Sequence, residues 1–95
     1  MVYVVERYVP GLSRSDLLVA LERLAAATRE LQDEGASVRY LGSTIVLLDE
    51  ACFCQFEGPS EAAVAEVNRR ADAPFSRIVS AVAVVPGPGR GGDER

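Results

Sequence analysis

Short apolar runs rich in strand-forming residues trade places with two stretches of helical period along this chain, in the order strand, helix, strand, strand, helix, strand. That rhythm limits the fold more than any single motif. Val2 to Tyr8 is rich in Val and Tyr and reads as a strand, ended by Pro10-Gly11. Ser13 then offers an N-cap, with Asp16 three residues on as a shortened capping-box partner. Leu17, Leu21, Leu24, Thr28 and Leu31 recur at spacings of four and three, widened by Leu18 and Ala25, so a helix runs to about Asp33 and stops at Gly35. Val38 to Leu48 is a long strand interrupted at Gly42-Ser43. A tight turn at Asp49-Glu50 leads to a further strand, Ala51 to Glu57, and the two form an antiparallel hairpin. Ser60 caps a second helix that buries Ala63, Val64, Val67 and Ala71 and ends before Pro74. The last strand is Arg77 to Val85, and Pro86 to Arg95 is a flexible Pro/Gly-rich tail.

The order β-α-β-β-α-β, as two right-handed split units around a central hairpin, makes the chain an α+β protein. It predicts a ferredoxin-like sandwich over residues 1–85, with a four-stranded antiparallel sheet carrying two helices on one face. Such a sheet should alternate apolar with polar, and these strands do not. Leu41, Ile45 and Leu47 fall on one face of the second strand and Val38, Tyr40, Thr44, Val46 and Leu48 on the other. In the last strand, Val79, Ala81, Ala83 and Val85 oppose Ile78, Val82 and Val84. A face that apolar, left without helices, predicts packing against a second copy, a homodimer with sheet on sheet.

Composition narrows the chemistry. No histidine is present, so neither a Ser-His-Asp triad nor a His-ligated metal site can form. All ten basic residues are Arg, which removes Schiff-base chemistry and Lys-based phosphate loops. The last ten residues are neutral overall, so the net charge of -4 belongs to the folded part. An acidic surface argues against nucleic acid as a partner. The first residues lack a basic start and a long apolar run, and no stretch approaches a membrane span, so the expectation is a cytoplasmic protein with no membrane partner. Cys52 and Cys54 share one strand face at roughly 7 Å between Cα atoms, outside the usual disulfide range of about 4.4 to 6.8 Å. They read as reduced, small apolar side chains packed under a helix. A CxC spacing without a second ligand pair is a weak metal or redox signal.

A family resemblance rests on Glu6-Arg7 with Pro10-Gly11, Tyr40-Leu41-Gly42-Ser43 and Cys54-Gln55-Phe56-Glu57. It continues through Ala63-Val64, Arg69-Arg70-Ala71, Pro74 and Ile78. Taken in order, these residues resemble the small nickel-binding-protein-like domains of the dimeric α/β-barrel group, over residues 2–85. The resemblance implies ferredoxin-like protomers and a divalent-metal role. The family pattern reads Trp-x-His-Ser where this chain has Tyr40 to Ser43, and Glu-His-Ala-Arg-Arg-Ala-Gly where it has Glu66 to Asp72. Gly42 and Val67 therefore stand in the two histidine positions, and the metal role is not carried over: a soft divalent metal is best held by imidazole or thiolate.

The expected function is a non-catalytic, homodimeric binding domain, with no cofactor, no catalytic residue and no tight metal site. A small molecule is the possible ligand. The polar groups able to orient it are Glu6, Arg7, Tyr40, Gln55 and Glu57, and a pocket is expected beside Gly42, lined by Tyr40 and Glu6. Glu6-Arg7 could equally be a surface ion pair, and Tyr3, Tyr8 and Tyr40 interface aromatics. Two other classes are compatible with this pattern: a cofactor-independent oxygenase or isomerase, which the same fold hosts, and a structural or adaptor dimer.

Overall fold

The computed structural model describes residues 1–87; most of the predicted tail, from residue 88 on, lies outside the described residues. Its elements are β1 (Val2–Tyr8), α1 (Arg14–Asp33), β2 (Arg39–Val46), β3 (Ala51–Glu57), α2 (Glu61–Arg70) and β4 (Arg77–Ala81). The strands form one sheet in the order β2-β3-β1-β4, each neighbour antiparallel, which is the ferredoxin-like topology the element order predicts. Neither helix is long and apolar enough to cross a membrane.

Local chemistry sets both helix starts. The Ser13 hydroxyl accepts from the backbone N–H of Asp16 at 3.1 Å, and that of Ser60 from Ala63 at 3.2 Å, satisfying donors that the first helical turn leaves free. α1 closes with Gly35 at φ +98°, while Ala36 N–H returns to the Leu31 carbonyl at 2.9 Å. α2 closes with Asp72 in the left-handed region at φ +53°. Arg70 ties the two helices together, donating to Glu34 on α1 at 2.6 and 2.8 Å and to Glu66 on its own helix at 2.9 Å.

The core lies between the helices and one face of the sheet. Tyr3 and Val5 of β1 and Cys52, Cys54 and Phe56 of β3 meet Leu24, Ala27 and Leu31 of α1 and Val64 and Val67 of α2. The predicted helix stripes hold with two changes. Leu18 is half exposed and stays outside the core, whereas Asn68, a polar residue, is wholly buried in it.

Three strand predictions are corrected. The second strand, expected over Val38 to Leu48, is β2 at Arg39–Val46, and Leu47 and Leu48 lie exposed in the turn that follows. β4 ends at Ala81 rather than Val85, because Ala81 pairs with Val2, the first residue of β1, and beyond it the strand runs past its only neighbour. Val82, Val84 and Val85 are consequently exposed. β2 carries a bulge between Tyr40 and Gly42: Tyr40 sits opposite Phe56, yet Gly42 sits opposite Gln55, so Leu41 is the extra residue. The phase of the strand inverts there. Tyr40, Ser43 and Ile45 all face the helices, whereas Gly42 and Thr44 face away, which replaces the simple alternation expected through residue 41.

The helix-free face follows from this register. Val2, Val4, Phe53, Val79 and Ala81 form its apolar middle. Cross-strand ion pairs flank it, Arg77 to Glu6 at 3.0 Å and Arg39 to Glu57 at 2.7 Å.

Candidate functional site

The sheet register decides where the predicted site residues go, and the bulge turns Gly42 away from Tyr40. Glu6, Gly42, Gln55 and Glu57 lie on the helix-free face, while Arg7 and Tyr40 face the helices. The pocket expected beside Gly42 between Tyr40 and Glu6 is therefore not built, since the sheet itself separates those two side chains. A Cβ added at Gly42 meets no atom within 4 Å, so that side is open. Glu6 and Arg7 are not a pair either. Successive strand residues point to opposite faces, and Glu6 engages Arg77 instead. Tyr40 stacks on Phe56, with ring centroids 5.0 Å apart, and its hydroxyl meets Ser43. Glu57, the last residue of β3, is held by Arg39 of β2.

The structure builds a cavity elsewhere, between the N-terminal half of α1 and the end of the sheet. An inner chamber of about 170 Å³ is walled by Val9, Leu12, Leu17, Leu21 and Leu24, with Arg7 and Cys52 from the sheet. A groove of about 470 Å³ shares Val9, Leu12, Leu17 and Leu21 with it and extends to Ile45 and Leu47. The space exists because α1 is in full contact with the sheet only from Leu24 onward; Leu17 and Leu21, one and two turns earlier, are half buried.

Arg7 is the buried charged group at this chamber. It is 8% exposed. One terminal nitrogen, Nη1, donates to the carbonyls of Ala73 at 3.0 Å and Pro74 at 3.3 Å, and Nη2 donates to the Asn68 side-chain oxygen. Asn68 is fixed in turn by its amide donating to the Val64 carbonyl at 2.8 Å. These bonds fasten the loop after α2 to β1. The Nε–H of Arg7 is buried with no acceptor. Asn68 was not anticipated, although its position four residues after Val64 and beside Val67 placed a polar side chain on the buried stripe.

Cys52 and Cys54 lie under the helices as expected, free and wholly buried. Their sulfurs are 3.6 Å apart, and the Ser43 hydroxyl donates to Cys54 Sγ at 2.9 Å. The hydrogen bond from Cys52 holds the Cys54 thiol below its ordinary pKa, helped by Ser43 and by the nearby charge of Arg7, against the opposing effect of burial. Cys52 is pushed the other way, by donating that bond and by its own desolvation. Tyr40 is raised, chiefly by burial.

Among the described residues no group of three or more His, Cys, Asp or Glu side chains is placed to hold a metal ion. A family model described as nickel responsive protein SCO4226-like matches residues 3–80. No curated protein matches the chain. Among solved structures, that of SCO4226 from Streptomyces coelicolor A3(2) superposes with a TM-score of 0.75 at 19% identity, covering 90% of this chain and all of that one. At that identity the likeness speaks for the fold alone, and it is the sandwich described above. With a family model spanning both split units, the chain belongs to the nickel responsive SCO4226-like family.

Proposed function

We propose that this chain is a non-catalytic, homodimeric binding domain that takes a small, largely apolar molecule between α1 and the sheet. The observation that carries the reading is the chamber walled by Val9, Leu12, Leu17 and Leu21 and continuous in lining with the outer groove. Binding sites are concave and mostly apolar, with a few placed polar groups, and Arg7 is such a group here. Leu21 lines both parts, so Leu21→Trp fills them. The substitution should abolish binding of 1-octanol while circular dichroism stays native. Undiminished octanol binding by the folded variant would contradict the reading.

The dimer rests on a different surface. The apolar middle of the helix-free face and the exposed Val82, Val84 and Val85 beside it are the parts a second copy would cover. Sedimentation at low micromolar concentration should give twice the monomer mass, and Val4→Glu should halve it. A wild-type monomer under those conditions refutes the dimer.

Nickel does not fit the residues present. Gly42 has no donor, and Val67 is sealed in the core. Glu66 is already held by Arg69 at 2.5 Å and Arg70 at 2.9 Å. Calorimetric titration should show no nickel binding tighter than ~10 µM, about -7 kcal/mol. Stoichiometric nanomolar binding would show that thiolates and carboxylates substitute for the missing imidazoles.

A further inference from the structure

Arg7 carries a buried charge that no carboxylate of the described chain answers. Its acceptors are the carbonyls of Ala73 and Pro74 and the amide oxygen of Asn68, all neutral, and its Nε–H has none. Among the described residues no carboxylate oxygen lies within 4 Å of it. Buried charges in proteins are normally paired, and a guanidinium edge is shaped to receive a carboxylate.

The remaining charges around the space do not supply the partner. Arg23 and Asp72 also line the chamber, both exposed and opposite in sign. Arg14 and Glu50 line the outer groove, and Glu50 is occupied in accepting from the Gly11 N–H at 3.1 Å. The charge that no carboxylate meets is that of Arg7, which lines the cavity with Val9, Leu12, Leu17 and Leu21.

We propose that the occupant of this cavity is a small carboxylic acid, its carboxylate received by Arg7 and its hydrocarbon body laid along Val9, Leu12, Leu17 and Leu21. The inference rests on the cavity being the binding site and adds the chemical class of the ligand. A phosphate would need more donors than one guanidinium edge offers, and its hydrated charge suits these walls poorly. A carboxylate on an aliphatic or aryl body matches both ends of the space.

The test compares octanoate with 1-octanol, equal in chain length, by calorimetric titration of the full chain at pH 7.5, where octanoate is ionised. Octanoate should bind at least tenfold more tightly. Asn68→Asp sets a carboxylate against Arg7 from within the fold, and in that variant the tenfold advantage should disappear while octanol binding remains. Equal affinities in the wild-type protein would overturn the carboxylate and leave the cavity standing; a Cys54 thiolate that neutralises Arg7 internally would give that result. An advantage that persists in folded Asn68→Asp would remove Arg7 as the receiving group. No binding of either probe would overturn the cavity reading and the inference together. Should Asn68→Asp fail to fold, the wild-type comparison decides alone.

Discussion

Replacing Gly42 by alanine separates a bulged strand from a regular one by the sign of its effect. In a regular strand a glycine is a weakness, and alanine would stabilise by about 0.5–1 kcal/mol. Here Gly42 follows the extra residue Leu41 and holds φ +137°, a conformation that L-residues rarely adopt. A Cβ at this position meets no atom within 4 Å, so collision with the rest of the chain contributes nothing and the whole cost is in the backbone. Strain of that kind costs about 1–3 kcal/mol. The lost freedom of the unfolded chain offsets about 0.4–1 kcal/mol of it. Gly42→Ala should therefore destabilise by about 1–2 kcal/mol, which lowers the Tm of a domain this size by on the order of 5–15 °C. Urea unfolding at one fixed protein concentration is the suitable assay, because dimerisation would make stability depend on concentration. Thr44→Ala, beyond the bulge on the same face, is the control and should change stability by less than about 1 kcal/mol. A Gly42→Ala protein as stable as the wild type, or more so, would refute the bulge and with it the placement of Gly42 on the face opposite Tyr40.

Phe56 is wholly buried and stacked on Tyr40, so Phe56→Ala should cost about 3–5 kcal/mol in the same assay; a loss under 1 kcal/mol would mean the core is not where we place it. Arg69 first and then Arg70 push the Glu66 carboxyl down to about 2 from an ordinary 4.5, and Arg70 lowers Glu34 as well. A lowered acid pKa stabilises the fold fully above 4.5 and loses that stabilisation as pH falls toward 2. The wild-type Tm should therefore decline through that window more steeply than that of Glu66→Gln, and parallel curves would count against the pairing. Cys52 and Cys54 are buried and unbridged, so labelling with a maleimide should be slow in the native protein and complete on unfolding. Rapid native labelling of both would contradict their burial.

Features governed by local chemistry were legible in the sequence. Ser13 and Ser60 announce helix starts by residue type and spacing, and the Leu24-Thr28-Leu31 stripe declares its buried face. The order of elements then leaves one sheet topology in view. What escaped depends on distant partners. Nothing in Tyr40-Leu41-Gly42-Ser43 distinguishes a strand glycine from a bulge, because the bulge is defined by pairing with Phe56 and Gln55. That one-residue slip put Gly42 on the face opposite Tyr40, so the pocket expected between them does not form. The end of β4 is set by where β1 begins, some eighty residues earlier in the chain. Arg7 was identified as a candidate, but its burial comes from Asn68, Ala73 and Pro74, 61 to 67 positions away. The cavity arises from how far α1 stands off the sheet at Leu17 and Leu21, and a stripe of leucines reads the same whether its first turns touch or not.

The central claim is that the ligand enters between α1 and the sheet and not against the helix-free face. Methyl-labelled protein with octanoate tests it directly, through intermolecular nuclear Overhauser effects. The expected contacts are from the aliphatic chain to the methyls of Val9, Leu17 and Leu21, which line the cavity. Contacts to Val4 and Val79 on the opposite face, with none to Leu17 or Leu21, would contradict the account.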